Sequence, residues 1–277
     1  MVRGPERRFE ANHAATLELA GTAPDLVVWG ESSIGFDIDE RPDLTDRVAE
    51  ASRAVGADVL VNVDARRGEG GIFKSSVLVG PDGPDGRYDK MRLVPFGEYI
   101  PLRPVLGWLS GITEAAGEDR RRGDGLVVLG TDGLAIGPLV CFESSFPDLS
   151  RHLARTGADL VVVQSSTSTF QESWAPEQHA SLAALRAVET GRPVVHATLT
   201  GVSAAFDARG RRLLWMGTDE RGTWEVTLPR SRETTPFVRM GDWVPLGALG
   251  ALLLAAITAA LRAGRRTLPV PTAPDAG

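Results

Sequence analysis

Short apolar runs recur along the chain with amphipathic stretches between them, which is the pattern of buried strands alternating with surface helices. Asp25–Trp29, Asp58–Val63, Ser76–Val79, Leu134–Val140, Asp159–Gln164, Pro193–His196 and Ser203–Phe206 read as strands. Phe9–Ala20, Leu44–Val55, Pro147–Thr156 and Pro176–Thr190 read as helices. The last opens on proline and stops at Gly191, the usual asymmetry of helix ends. Gly80-Pro81-Asp82-Gly83 and Ala208-Arg209-Gly210 carry turn chemistry and predict hairpins. Together these give an α/β layered domain with mixed strands over residues 1–235.

The pattern changes at Trp243. From there to Leu261 the chain runs 19 residues without a charge, followed by Arg262, Arg265 and Arg266. As a helix that run spans about 28 Å, close to the ~30 Å hydrocarbon core of a bilayer. Pro245 falls in the first turn, where a missing N–H costs little. Trp243 suits one membrane interface and the arginines mark the cytoplasmic side. The expectation is a transmembrane helix over 243–261 in the cell membrane, with the domain before it extracytoplasmic. Residues 262–277 read as a disordered cytoplasmic tail. Gly247, Ala251, Ala255 and Ala259 form a small-residue ladder suited to a partner membrane helix. An alanine-rich composition produces such a ladder equally well. The N-terminus has no apolar signal-peptide core.

Composition narrows the function. The chain has 277 residues, 30 Lys+Arg against 36 Asp+Glu, and a net charge of −6. That balance argues against nucleic acid as a partner, because neutralising phosphates calls for net positive charge. The single cysteine, Cys141, excludes an internal disulfide and a multi-cysteine metal site. It is either a small buried apolar side chain or a nucleophile. His13, His152, His179 and His196 lack metal-ligand spacing, so neither a metal nor a cofactor is expected. Ser144-Ser145 lacks the glycines of a nucleophile elbow. Of the 30 cations only Lys74 and Lys90 are lysine. A lysine that survives among arginines suits a place needing a compact ammonium, which favours Lys90.

Three polar residues follow predicted strands or hairpins: Glu31 after LVVWG, Lys90 after GRYD and Cys141 after LAIGPLV. Strand ends in layered α/β folds are where distant residues converge. A free thiol is only a few per cent thiolate at neutral pH. A carboxylate can take its proton, and an ammonium can stabilise the thiolate and later an oxyanion. Glu, Lys and Cys are therefore sufficient for acyl transfer through a thioester. Taken singly, each is also an ordinary residue: a buried thiol, a loop acid, a surface cation.

The strings VVWGESS, YDKMRLVPFGEYIPL, GPLVCFESSFPDL and QHASLAALRAVETGRPVVHATLTGVSAAFDARG resemble the nitrilase-type domain of the apolipoprotein N-acyltransferases, within the carbon–nitrogen hydrolase superfamily. The resemblance runs from about Phe9 to Leu228, and LVPFGEYIPL is its most specific part. It implies a nitrilase-like α-β-β-α sandwich with one C-terminal transmembrane helix. It also implies a ping-pong transfer of a fatty acyl chain from a phospholipid to the α-amine of a diacylglyceryl-cysteine lipoprotein. Glu31 would be the general base, Lys90 the oxyanion-stabilising cation and Cys141 the nucleophile. Glu98 resembles a second active-site glutamate that holds the lysine, while Phe142 and Glu143 match the pair after the nucleophile. In the loop Pro95–Trp108, Phe96, Tyr99 and Trp108 lie among few charges, and with Phe170 they form the expected lipid-facing set. That loop either dips into lipid or folds onto the domain's own core.

The family normally begins with a bundle of membrane helices and a first strand of the nitrilase domain. Neither is visible ahead of the first helix here, and a separate membrane-helix bundle is a further expected partner. A missing strand would leave unpaired backbone groups and an exposed apolar face. The stretch after Gln164 reads SSTSTFQESW, keeping Phe170 but not the family's Asn-Asp and Trp, which bears on the pocket rather than the chemistry. Two other classes stay open: a nitrilase-type amidase acting on small amides, and a non-catalytic fragment or subunit of a split transferase.

Overall fold

A computed structural model describes residues 4–108 and 118–266. Helix α1 (Pro5–Leu17) leads to strand β1 (Leu26–Val28), helix α2 (Pro42–Val55) and strands β2 (Asp58–Arg66), β3 (Ile72–Gly80) and β4 (Gly83–Asp89). After the short helix α3 (Arg103–Leu106) come β5 (Leu129–Thr131), β6 (Leu134–Val140), helix α4 (Pro147–Arg155) and β7 (Leu160–Ser165). Helix α5 (Ala175–Thr190), β8 (Val194–Thr198), β9 (Ser203–Phe206), β10 (Arg212–Met216), α6 (Pro236–Met240) and α7 (Trp243–Arg266) complete the described order. Two mixed sheets result, one ordered β1-β2-β3-β4 and the other β10-β9-β8-β7-β6-β5.

Period-two burial makes the layers. Val59, Val61 and Val63 of β2 pack outward with Phe9, Trp29, Leu44 and Val48 beneath α1 and α2. Their alternates turn inward: Leu60 joins Leu78, Ile136, Leu160 and Val162 between the sheets. Leu139, Val161 and Val163 face the other way, against Leu153 of α4 and Ala180, Ala183 and Ala187 of α5. The order of layers is helix, sheet, sheet, helix, as the resemblance implied.

The sequence pattern located seven strands and four helices within a few residues, with α1 starting earlier, at Pro5, and ending at Leu17. It missed β5, and it marked β4 and β10 only through their turns, since the two predicted hairpins are the β3–β4 and β9–β10 connections. The β4 segment GPDGRYD has no apolar run; its ladder to β3 and one buried ring, Tyr88, make it a strand. Strand β1 lies at the edge of its sheet, paired in parallel with β2. The expected exposed apolar face does not occur there, because Val27 and Trp29 are buried and Trp29 Nε1 donates to Thr16 Oγ1 at 2.8 Å.

Helix α7 is long and apolar enough to cross a membrane over Trp243–Ala263, and that window is wholly unburied. It extends past the expected Leu261 to Arg266, so 262–266 are helical rather than a disordered tail. Leu261, Arg262 and Ala263 are good helix formers that carry the last turns onward. The remaining tail residues, 267–277, lie outside the described residues.

Candidate active site

Strand ends from both sheets meet at one edge of the sandwich. Glu31 follows β1, Lys90 follows β4, and Cys141 follows β6 as the first residue of a 3-10 turn, Cys141–Ser145. The approach of the sheets depends on Gly30, where a Cβ would lie 2.1 Å from the backbone nitrogen of Leu199. Glu31 N–H crosses to Ser165 O at 3.2 Å, tying the end of β1 to the end of β7. Cys141 has φ 49° and Ser32 φ 55°, a left-handed backbone that L residues adopt at a cost of about 1–3 kcal/mol. Such strain is held by the surroundings. Glu143 accepts from Val140 N (2.9 Å), Met91 N (2.8 Å), Arg92 N (3.0 Å) and the Tyr88 hydroxyl (2.8 Å), pinning the Cys141 turn to the loop after Lys90. Burial pushes the Glu143 carboxyl up, against the backbone N–H groups of Arg92 and Val140.

The charged groups interlock. Lys90, with no exposed side-chain surface, donates to Glu98 Oε1 at 2.8 Å and lies 3.8 Å from Glu31 Oε1. Lys74 donates to Glu31 Oε1 at 2.6 Å and lies 3.4 Å from Glu98 and 3.7 Å from Asp64. Burial works against both ammoniums, but Glu31 and Glu98 (and Asp64 for Lys74) outweigh it and hold both above the ordinary lysine range. Burial likewise opposes ionisation of Glu98, and Lys90 and Lys74 reverse that, holding its carboxyl below the usual range.

Cys141 lies in the field of this cluster. Burial and the Glu31 charge push its thiol up to about 11, against Lys90, a hydrogen bond from Ser165 and Lys74. The resting group is therefore a thiol rather than a preformed thiolate, and chemistry at Sγ would call for a base to take its proton. We expect the rate of Cys141 alkylation by iodoacetamide, measured by intact mass on the full chain in detergent, to rise about tenfold per pH unit between about 7 and 10. A plateau beginning near neutrality would show a stored thiolate instead.

Behind the cysteine, His196 Nδ1–H donates to Val202 O (2.8 Å), so its Nε2 accepts from His179 Nδ1 (3.0 Å). His179 also reaches Ser165 Oγ (3.3 Å) and Ser144 Oγ (3.4 Å). Burial lowers both imidazoles, His196 to about 3, so the pair is neutral at ordinary pH.

The structure brings Glu31, Lys90, Glu98, Cys141 and Glu143 together, and Phe142 lies beside them with its ring edge-on to Phe146 at 4.9 Å. Of the expected lipid-facing set, Phe96, Trp108 and Phe170 are exposed, whereas Tyr99 is half-buried with the Arg122 guanidinium over its ring at 5.5 Å. Leu102 and Val105 of the same loop are also exposed, so much of its apolar surface faces outward while Leu93 and Ile100 anchor it. Lys74, Asp64, Ser165 and His179 were not anticipated. For Lys74 the scarcity of lysine was a signal; for the others none was available, since serine, aspartate and histidine are common in every role. Two cavities, of about 810 and 450 Å³, open at the opposite strand ends around Asp58 and Asp132, away from this cluster.

A family profile described as carbon–nitrogen hydrolase matches residues 5–235. Apolipoprotein N-acyltransferases are similar in sequence. That of Nitrosomonas europaea is 33% identical over 271 residues, covering 94% of this chain and 54% of the relative. That of Sinorhizobium medicae is 36% identical over 225 residues, covering 78% and 42%. The chain spans about half the length of the curated relatives it matches. Among solved structures, a carbon–nitrogen hydrolase from Helicobacter pylori superposes with a TM-score of 0.63 at 16% identity, covering 79% of this chain and 83% of that one. A variant of an amidase from a Nesterenkonia species, carrying acrylamide on its active-site cysteine, gives 0.58 at 18% identity, covering 86% and 91%. These two likenesses speak to the fold alone.

Proposed function

This chain belongs to the carbon–nitrogen hydrolase family, and from that premise we propose that it is an acyltransferase working through a thioester on Cys141. The donor is a phospholipid and the acceptor the α-amine of a diacylglyceryl-cysteine lipoprotein. The observation that carries this reading is the chain's only cysteine lying in the combined field of a buried acid and a buried ammonium.

In the first half-reaction Glu31 takes the thiol proton as Sγ bonds to the ester carbonyl carbon. The carbonyl oxygen gathers negative charge, which the Lys90 ammonium stabilises. Collapse breaks the carbon–oxygen bond to the glycerol, and Glu31 returns the proton to the departing alkoxide, releasing a lysophospholipid. In the second half-reaction the acceptor amine bonds to the thioester carbon and gives its proton to Glu31. The carbon–sulfur bond breaks, the thiolate recovers a proton, and an amide leaves. Glu98 holds Lys90 in place throughout, and Glu143 keeps the nucleophile turn in register with it.

The exposed apolar side chains of the loop after Lys90 and the unburied α7 support a membrane setting for this chemistry. A 16-carbon chain costs roughly 0.8 kcal/mol per CH₂ to expose to water, so extraction by an enzyme remote from the bilayer would be prohibitive. We place the catalytic domain on the extracytoplasmic side, with the arginines after Leu261 cytoplasmic. A separate membrane-helix bundle would complete the lipid-facing surface.

The test is mass spectrometry of the full chain in mixed micelles with phospholipid. One acyl-sized adduct on Cys141, released by neutral hydroxylamine and absent in Cys141→Ala, is expected. Turnover of small amides with no adduct from phospholipid would reassign the chain to amide hydrolysis. No adduct from either would reject covalent catalysis.

A further inference from the structure

Lys74 has no part in the chemistry just described, yet it is the cation nearest the base. The register of the first sheet brings it there. Asp64 of β2 pairs with Lys74 of β3, and Lys90 N–H donates to Lys74 O at 2.8 Å across the next ladder. Two ammoniums on neighbouring strands repel, an arrangement a purely structural sheet avoids. Here acids lie between them, and they are shared unequally: Glu31 is 2.6 Å from Lys74 but 3.8 Å from Lys90, whereas Glu98 is 2.8 Å from Lys90 and 3.4 Å from Lys74.

We propose that Lys74 is a positioning residue that acts through Glu31, clamping Oε1 so that Oε2 is the oxygen presented for proton exchange with Cys141. Among the described residues no hydrogen-bond donor engages Oε2. The clamp also frees Lys90, which without Lys74 would be drawn toward Glu31 and away from the position where an oxyanion develops. A compact ammonium fits this role because one point charge hydrogen-bonds Glu31 and stays 3.4 Å from Glu98 and 3.7 Å from Asp64, an arrangement a planar guanidinium does not reproduce. The composition agrees: both lysines of a chain otherwise served by arginine stand in this one cluster. Lys74 is also the outer member, with 13% of its side chain exposed against none for Lys90. Arg120, 3.4 Å from Asp64, closes the charge cluster on that side.

The inference rests on Glu31 and Cys141 being base and nucleophile, and its test needs neither lipid nor lipoprotein. The full chain in detergent is acylated by p-nitrophenyl butyrate in a single turnover, followed by intact mass. Lys74→Met is expected to slow acylation about tenfold in the native background and less than twofold in Glu31→Gln, since a clamp on a missing base has nothing to act on. Ethylammonium is expected to restore Lys74→Ala saturably, and tetramethylammonium, which cannot donate a hydrogen bond, is not. Equal slowing in both backgrounds, or a folded Lys74→Met protein of native rate, overturns the proposal. If Lys74→Met does not fold, failure of ethylammonium to restore Lys74→Ala overturns it. Loss of acylation in the native chain itself would strike the Glu31–Cys141 reading rather than the role of Lys74.

Discussion

Glu31→Gln is expected to slow acylation of Cys141 by about a thousandfold near pH 7.5, measured as single-turnover thioester formation. Two independent magnitudes give that figure. With a thiol pushed to about 11, only on the order of one molecule in a few thousand carries a thiolate at that pH, and without a base only those can attack. Removal of a positioned general base costs 10²–10⁴-fold as a rule. Glutamine keeps the size and the accepting oxygen that Lys74 engages at 2.6 Å, so the site should stay assembled. The variant's rate should then climb with pH, because hydroxide replaces the missing base and loss of the Glu31 charge eases ionisation of the thiol. A rate within fivefold of the native chain at neutral pH would remove Glu31 from proton transfer.

Lys90→Met should damage both stability and chemistry, and the two can be separated. Lys90 is fully buried and its closest partner, Glu98, is nearly so. Removing one member of a buried pair costs about 3–5 kcal/mol, because the other is left charged without its counterion. Glu98 keeps Lys74 at 3.4 Å and the Val94 N–H at 2.8 Å, which puts the expected loss near the lower figure, a fall in Tm of roughly 10 °C. Acylation should fall about 10²–10³-fold through loss of oxyanion stabilisation. Adding Glu98→Gln neutralises the stranded charge and should recover much of the Tm without recovering the rate. Recovery of both would make Lys90 a structural counterion only.

The buried polar network explains why this site tolerates so many charges. Glu31, Lys90, Glu98 and Glu143 each have partners at hydrogen-bond distance, and Asn62 and Gln164 bridge the inner faces of the two sheets beside them. Gln164 donates to Trp29 O at 2.8 Å and Leu60 O at 3.0 Å, so the sheets are fastened beside the point where Glu31 leaves β1. Densely paired networks of this kind restrict their members to one arrangement, which is what proton transfer over a short distance requires.

Period-two and helical hydrophobic patterns were enough to locate most strands and helices, because burial on one face is a local demand on alternating residues. The charge-free run from Trp243 announced α7 by composition alone. Glu31, Lys90 and Cys141 could be singled out because each follows an element the pattern had already found, and the quoted strings tied them together. Strand β4 was marked only by the turn before it, because GPDGRYD has no apolar run of its own and owes its conformation to the ladder with β3. Lys74 escaped for a related reason. It lies in the middle of neither a motif nor a turn, and only the pairing of Asp64, Lys74 and Lys90 across three strands carries its ammonium to Glu31. Local sequence thus determined which segments are strands, which are helices and which residues can do chemistry. The distances between those residues were decided by sheet register and by how closely two sheets approach at Gly30, since charges act through space and the chain order holds no measure of it.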